Sequence, residues 1–485
     1  MPKVTTRLWR QASLLVASVL LPGCATVGLS DLFLSYSSVM QPVRTQLQLG
    51  QWPEAMAAIP ASEPNDNNFV LDRLQQGRIA FLLRDWHGSK QQLDAAASQL
   101  AWLEQQAEYR VSHGLQQAGS LLSNDQAIAY QAADYEQTLL HHYQALNYLF
   151  LGQTQDALVE VRKANQVQER ALATRERELQ AAKEEIQQAG LSQELALAQQ
   201  GLPDLPVSPD GLKGRLQSGY TFYVSALLYE ATGALNDAYI DYQRALEVAP
   251  NNRVLQDDLL RVTARLGLKS EHAVYQQRFG RPSAATTTDQ SSSTDQGQIL
   301  VLYEEGMLEP LQEFFLPLPI ATSAGDFRTF TVAFPWYGST QIPVAAGQFL
   351  LDGQSAQTEP LVSLQGLASQ SLQERLPGLM MRQLLRLASK EALRHQASAQ
   401  GGDLGNILVG LYNTFSEHAD TRSWSTLPAG VSIWRRSVPA GNHAIAVGQG
   451  TAMQQLSVPV VKGKVTLVWV NQLGANIVSM VKMIS

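Results

Sequence analysis

The spacing of apolar residues changes near residue 298, which predicts a helical N-terminal half and a β-rich C-terminal half. The N-terminal half is rich in Ala, Leu, Gln and Glu and poor in Pro, a composition that favours helices. The C-terminal half has a helical pattern at 363–416 and is expected to be an α+β domain, an antiparallel sheet or sandwich with a helical insertion. Short apolar runs predict strands at 299–303, 327–334, 430–437, 443–447, 455–461, 464–470 and 477–483. Residues 438–442 and 462–463 separate neighbouring runs as hairpin turns would.

A repeated spacing of small and aromatic residues predicts paired helices in the N-terminal half. The two clearest copies share positions at Ala145, Tyr148, Gly152, Ala157, Val161 and Ala164, and at Ala226, Tyr229, Gly233, Ala238, Tyr242 and Ala245. Weaker copies cover 77–96 and 49–55. Small residues let two antiparallel helices pack closely where they cross, and the pattern resembles a tetratricopeptide repeat. Because each unit needs stacked neighbours to bury its apolar face, residues 24–280 are predicted to form an α-solenoid.

Composition marks an insertion and a linker next to these repeats. Residues 166–188 are rich in charge and predict a long solvated helix, within an insertion near 166–212. Whether this helix continues the second helix of the preceding repeat is left open. Residues 281–298 are rich in Ser, Thr and Asp, which predicts a flexible linker that lets the two halves reorient. The second domain is therefore expected to span 299–485.

The N-terminus has the layout of a secretory signal. Three basic residues precede an apolar run over 12–20, and the segment ends in Gly23-Cys24. This ending resembles a bacterial lipobox, which implies removal of residues 1–23 as a signal peptide and acylation of Cys24. The residue after the cysteine is Ala25 rather than Asp, which implies sorting to the outer membrane, on its periplasmic face. An accidental cysteine and an uncut transmembrane anchor fit less well.

Charge and cysteine content exclude several classes of protein. The formal net charge is −7 and becomes −10 once Lys3, Arg7 and Arg10 leave with the signal. A negative balance argues against general nucleic-acid binding, which needs basic residues to neutralise phosphates. Cys24 is the single cysteine, so a disulfide within the chain is impossible. The acyl chains are thus the expected attachment to the membrane.

The sequence contains no recognised catalytic or metal-binding motif. The eight histidines form neither HExxH nor another metal-ligand spacing, and there is no GxSxG or GxxxxGK[ST] motif. Glu417, His418 and Asp420 are the closest cluster of possible ligands. Adjacent helical residues diverge by about 100°, so a helix end with local hydrogen bonds explains this cluster better than a metal site. We therefore predict a protein that is not an enzyme and uses no cofactor or metal.

Two surfaces are candidates for binding. The repeat frame predicts that the first helices turn the following residues into a concave groove: Leu74, Arg78, Phe81, His142, Leu146, Tyr220, Tyr223, Leu227 and Glu230. Such a groove could hold a peptide or a helix of a partner, unless the chain's own inserted helices fill it. A second candidate is a basic stripe for an anionic ligand, at four-residue intervals: Arg382, Arg386, Lys390 and Arg394. Its alternative is a solvated helix face.

Three stretches together resemble an uncharacterised family of tetratricopeptide-repeat-containing bacterial outer-membrane lipoproteins. They are residues 133–165, 300–319 and 419–441, which lie in both halves of the chain. The resemblance implies the same fold and membrane address and assigns no reaction.

The sequence thus predicts a lipid-anchored cell-envelope scaffold or adaptor, acting in envelope assembly or maintenance. It would bind a protein partner through the helical-repeat groove, without nucleic acid. The alternative is a periplasm-facing carrier or sensor that binds a glycan or lipid in the C-terminal domain. The oligomeric state is left open.

Overall fold

About twelve helices and a mixed sheet region make up this computed structural model. It describes residues 35–112, 128–188, 217–280, 295–321, 327–338, 343–387, 418–448 and 453–484, with 190, 192 and 196. The helices are α1 Tyr36–Val39, α2 Gln41–Gln48, α3 Trp52–Ala57, α4 Phe69–Leu82, α5 Trp86–Ser112, α6 Asp134–Leu151, α7 Thr154–Gln188, α8 Gly219–Ala231, α9 Leu235–Val248, α10 Arg253–Leu266, α11 Lys269–Arg278 and α12 364–387.

The two clearest repeat copies form helical hairpins. Gly152 and Gly233 have φ angles of 81° and 83°, which let the chain reverse from α6 into α7 and from α8 into α9. Gly77 lets α4 approach α5, because a Cβ atom there would lie 2.6 Å from the Leu93 side chain. The charged segment after residue 165 continues the second helix of its repeat, since α7 runs unbroken over 35 residues. The charged helix at 166–188 is therefore part of α7 and not a separate helix.

The strands form three sheets. They are β1 Gln296–Glu305, β2 Gln312–Ala321, β3 Phe327–Trp336, β4 Gln348–Leu351, β5 Gln354–Gln357, β6 Glu359–Ser363, β7 Gly430–Pro439, β8 Gly441–Val447, β9 Gln454–Val460, β10 Val465–Leu473 and β11 Asn476–Ile484. A five-stranded sheet has the order β11-β10-β1-β7-β6, a four-stranded sheet has the order β5-β4-β8-β9, and β2 pairs with β3. The strand β1 begins at Gln296, three residues before the predicted domain start.

The strand pairing differs from the prediction in two respects. The five-stranded sheet is mixed rather than antiparallel, because β1 runs parallel to β10 and antiparallel to β7. Residues 438–442 and 462–463 also do not form hairpin turns. Each carries the chain from one sheet to the other, from β7 to β8 and from β9 to β10. Apolar runs locate strands, but the partner of each strand is set by contacts distant in the sequence.

The five-stranded sheet is the middle layer of the molecule. Along β1, Leu300 and Leu302 belong to the hydrophobic core formed with the helices, whereas Ile299 and Val301 belong to the core formed with the four-stranded sheet. The side chains of a strand alternate between its two faces, so one sheet serves both cores. The helices and the β-rich part therefore share a hydrophobic core, which contradicts the expectation of two halves that reorient about a linker.

A smaller cluster lies where α7, α12 and the β2–β3 pair meet. Ile186 near the end of α7 packs with Leu316 and Phe334 of the pair and with Met380 and Leu384 of α12. The helical insertion of the β-rich part thus contacts the long helix of the N-terminal half.

Candidate functional site

The inner face of the helical hairpins is covered by the five-stranded sheet. The nine predicted groove residues are all buried. Phe81 packs edge-on against Trp469 of β10, with ring centroids 5.2 Å apart. Leu74, Leu146 and Leu227 lie in the hydrophobic core that also contains Leu300 and Leu467 of the sheet. In this structure, the chain's own β-rich part occupies the surface where the sequence predicted a partner.

A buried carboxylate, Glu304 on β1, is the centre of this contact. It forms an ion pair with Arg78 of α4, with a distance of 2.6 Å between Nη2 and Oε2. The hydroxyls of Tyr143 on α6 and Tyr220 on α8 donate to its Oε1 at 3.0 and 2.8 Å. The indole of Trp469 donates to the same oxygen at 3.1 Å. One side chain of the sheet thus holds three helices.

The charges of this cluster are stabilised by each other. Burial disfavours the charged form of Arg78, but Glu304 raises the pKa of this guanidinium above its usual value. The guanidinium also lies over the Tyr143 ring, 4.7 Å from its centroid. Burial, together with the charge of Glu304, raises the pKa of Tyr220 well above its usual value, so this hydroxyl remains a donor. Such an arrangement holds elements together and offers no free acid or base.

His142 is buried beside this cluster. Its ring centroid lies 4.0 Å from that of Tyr220. Among the residues that the structure describes, neither of its ring nitrogens has a hydrogen-bond partner. Burial, and to a lesser extent the charge of Arg78, lowers the pKa of His142 to about 3. The imidazole is therefore neutral at physiological pH and packs as an apolar ring.

A second buried network joins α8, α9 and α10 to β7. Arg435 of β7 pairs with Glu230 and with Asp258, each at 3.2 Å. Tyr242 donates to Glu230 at 2.9 Å, and Arg261 pairs with both carboxylates. Burial disfavours ionisation of Glu230, but Arg435 and Arg261 hold its pKa at about 2. Glu230, one of the nine predicted groove residues, therefore also contacts the sheet through Arg435.

A third set of contacts fixes the irregular segment 418–429. Thr426 donates through its hydroxyl to the Gln75 side chain of α4 at 2.7 Å. The backbone N–H of Trp424 donates to Glu136 of α6 at 2.7 Å. The contact between the helices and the β-rich part is therefore polar at several separate points as well as apolar. Because these partners are distant in sequence, no local pattern could have identified them.

The predicted basic stripe is not a uniform exposed surface. Arg382 is exposed and Arg386 is buried, both on α12. Lys390 and Arg394 lie outside the described residues, as does Cys24. His418, from the weak candidate metal cluster, instead contacts Glu313 at 3.2 Å. Among the described residues, no group of three possible metal ligands comes together, and no helix is long and apolar enough to cross a bilayer.

A cleft of about 450 Å³ opens at the carboxyl-terminal ends of the parallel strands β1 and β10. Tyr303, Glu305 and Gln472 line it, together with several glycines. Gly347 is required there, because a Cβ atom would lie 2.6 Å from the Tyr303 ring. Glu305 accepts the Ala345 N–H at 2.6 Å, and burial raises the pKa of its carboxyl. The lining is mixed, with the Glu305 carboxylate and the Gln472 amide beside Pro343 and several alanines.

Comparisons with known proteins do not assign the chain to a family. No protein-family model and no curated protein sequence matches it. A solved structure described as the MamA protein aligns with 51% of this chain and 96% of its own, at 11% sequence identity and a TM-score of 0.28. That TM-score is too low to support an argument about fold or function.

Proposed function

We propose that the protein is a lipid-anchored scaffold of the bacterial cell envelope that binds a protein partner and catalyses no reaction. In this proposal, the helical hairpins are a tetratricopeptide-like solenoid that serves as a frame around the β-rich part. Acyl chains on Cys24 attach the protein to the periplasmic face of the outer membrane. The partner is recruited there for envelope assembly or maintenance.

The occupied inner face is the observation that shapes this proposal. Glu304, Arg435 and Trp469 of the sheet fill the surface that a groove-binding partner would need. A partner therefore meets the outer surface of the helices. Ser35 lies eleven positions after Cys24, and an extended chain of that length reaches at most about 40 Å. The N-terminal end of the folded part, at Ser35, would then lie within about 40 Å of the anchored cysteine.

Site-specific photocrosslinking in cells tests the scaffold function. A photoreactive residue is placed at exposed positions around the full-length chain, one per variant. The proposal expects one discrete adduct from a contiguous group of positions. The absence of a discrete adduct at all of the exposed positions tested would contradict the proposal.

The membrane attachment has a separate test. Replacement Cys24→Ala removes the side chain that would be acylated, so cleavage after residue 23 should stop. A second Cys24→Ala protein, whose signal peptide is cut without acylation, should be absent from the membrane fraction. Mass spectrometry of the N-terminal peptide measures acylation directly. A normally processed, membrane-bound Cys24→Ala protein would contradict the lipidation proposal.

The cleft beside Glu305 supports a second candidate function, binding of a glycan. The Glu305 carboxylate in this cleft can accept a hydrogen bond from a hydroxyl or ammonium group, and the small apolar side chains of the lining can pack against a sugar ring. Saturation-transfer NMR with glucosamine and with N-acetylglucosamine tests this function. Binding that is lost in Glu305→Gln would support this function. Equal saturation-transfer signals from the wild type and the variant would exclude the cleft as the binding site.

A further inference from the structure

The buried carboxylate of Glu304 has no capacity for further hydrogen bonds. Its Oε1 accepts two tyrosine hydroxyls and an indole N–H, and its Oε2 accepts Nη2 of Arg78 at 2.6 Å and Nδ2 of Asn471 at 3.2 Å. A carboxylate has about four lone-pair positions, and five donors already reach this one. Other donors near Glu304 therefore need a different acceptor.

Three buried side chains near Glu304 have polar atoms without a partner. Within the described ranges, Nε and Nη1 of Arg78, Oδ1 of Asn471 and both ring nitrogens of His142 form no hydrogen bond. The exposed fractions of these residues are 1%, 1% and 0%, so bulk solvent does not reach them. In folded proteins, most buried polar groups are paired with protein atoms or with a bound molecule. The unpaired atoms therefore point to a bound molecule.

The contacts of these three side chains place them in one cluster. Arg78 and Asn471 meet at the same oxygen of Glu304. His142 lies against the ring of Tyr220, with 4.0 Å between centroids, and the Tyr220 hydroxyl is 2.8 Å from the other oxygen of Glu304. The charge of Arg78 is also close enough to contribute to the lowered pKa of His142.

The unpaired atoms identify the kind of ligand. Nε of Arg78 carries one N–H and Nη1 carries two, whereas the neutral ring of His142 has one N–H and one acceptor nitrogen. Asn471 adds an acceptor, because its Nδ2 faces the carboxylate and this fixes the orientation of the amide. The ligand must therefore both donate and accept hydrogen bonds. It must also be uncharged, since Arg78 and Glu304 already compensate each other and a further buried ion would have no partner. Water meets both requirements.

The number of unpaired donors sets the number of waters. Arg78 and His142 together have four N–H groups without an acceptor, and a water molecule accepts about two hydrogen bonds. Two waters are therefore the smallest number that can pair all of these donors. Their own O–H groups can be donated to Oδ1 of Asn471 and to the acceptor nitrogen of His142.

We propose that the contact between the helices and the sheet contains a hydration site, in which at least two buried waters bridge Arg78, His142 and Asn471. These waters complete the hydrogen bonds of the Glu304 cluster and are a fixed part of the folded protein. The imidazole of His142 keeps its packing against Tyr220, and its nitrogens bind water at the edge of the ring. The site does not depend on the proposed scaffold function.

A crystal structure of the full chain, at a resolution that shows ordered water, tests the site directly. We expect density for at least two waters, each about 2.7–3.2 Å from two or more of the unpaired atoms of Arg78, His142 and Asn471. Fewer than two waters at these atoms overturns the inference. Crystals soaked in bromide distinguish water from an anion, because bromide scatters anomalously. An anomalous peak beside Arg78 would show that the site takes an anion and would also overturn the inference.

Deuteron magnetic relaxation dispersion of the full chain measures long-lived internal waters in solution. His142→Phe keeps an aromatic ring against Tyr220 and removes both nitrogens, so the dispersion amplitude should fall by at least one water relative to wild type. His141→Phe is the matched control on the same helix and should leave the amplitude unchanged, because His141 pairs with Glu160 at 2.7 Å. Equal amplitudes for His142→Phe and wild type, or an equal decrease in both variants, overturn the inference. The wild-type crystal structure decides the question if His142→Phe does not fold.

Discussion

Buried charges connect the helices to the sheet at the scale of single residues. Glu304 has no exposed side chain and compensates the equally buried guanidinium of Arg78. A buried ion pair adds little stability compared with an apolar pair, but loss of one partner leaves an uncompensated charge. The cluster therefore selects one arrangement of the two parts more than it strengthens the fold.

Replacement Glu304→Gln should lower the free energy of unfolding by about 3–5 kcal/mol, because it leaves the Arg78 charge buried without its partner. Urea denaturation followed by circular dichroism measures the change. Glu305→Gln is the control, since this neighbouring carboxylate is partly exposed and accepts one backbone N–H. Adding Arg78→Met to Glu304→Gln should recover part of the loss. A Glu304→Gln protein as stable as the wild type would contradict this account.

His142 should make stability fall as the pH decreases. Its folded pKa, about 3, lies below that of an unfolded histidine, about 6.5, so between these values the unfolded chain binds the additional proton. In His142→Leu this contribution is absent. The stability of the variant relative to wild type should therefore increase from pH 7 to pH 4 in urea titrations.

His443 provides a control of opposite sign. A hydrogen bond with Asp352, and a second with the Pro439 carbonyl, raise the pKa of His443. Its contribution is present below the unfolded pKa and is lost as the pH rises through the folded one. His443→Gln should therefore lose stability relative to wild type as the pH decreases. Parallel pH profiles for the two variants would contradict the assignment.

The sequence predicted which helix side chains lie on the inner face of the hairpins. It did not predict that these side chains contact the five-stranded sheet. The repeat frame selects Arg78, Tyr220 and Glu230 because their helix positions are set by local spacing. Glu304 continues the helix-facing alternation of Leu300 and Leu302, but the predicted strand ended at residue 303 and did not include it. Its partner was not readable, because 226 positions separate Glu304 from Arg78.

At the scale of helices and strands, local chemistry determines where elements lie, and distant contacts determine how they pair. Gly152 and Gly233 mark the hairpin turns because a positive φ favours glycine. Apolar runs likewise placed seven of the eleven described strands, but β2, β4, β5 and β6 were not predicted. The parallel pairing of β1 with β10 was not predictable from either strand, because parallel partners need a long connection and leave no local turn signal.

Two helical glycines should respond oppositely to alanine. Gly77→Ala should destabilise the protein, because the added Cβ would lie 2.6 Å from Leu93 where α4 meets α5. Gly378→Ala in α12 has no atom within 4 Å of its Cβ and should stabilise by about 0.5–1 kcal/mol through helix propensity. Thermal unfolding of the two variants measures both effects. A stabilising Gly77→Ala would show that the two helices are not so closely packed.

The whole molecule is organised around a sheet that is covered on both faces. The helices protect the face of Leu302 and Trp469, and the four-stranded sheet protects the face of Val301 and Val468. Composition predicted the change from helices to strands, but the shared core was not visible in it. The Ser- and Thr-rich segment 281–298 looked like a boundary between independent domains, although a polar connection can also join two parts of one core.

Residues 295–485 alone should not fold to the native state. Without the helices, Leu300, Leu302, Leu467 and Trp469 would face water. Near-ultraviolet circular dichroism of the fragment should show no fixed tertiary packing, and co-expression with residues 24–280 should restore it. A fragment that unfolds cooperatively by itself, with the native tryptophan signal, would contradict the shared core.

The most direct test of the account asks what the inner face of the helices touches in the cell. A p-azidophenylalanine residue of nearly the same shape replaces Tyr220, whose hydroxyl is 2.8 Å from Glu304. After illumination, the account predicts a crosslink within one chain, which peptide mapping places in Gln296–Glu305 or Val465–Leu473. A crosslink from Tyr220 to another protein would show that the groove is open to a partner and would contradict the account.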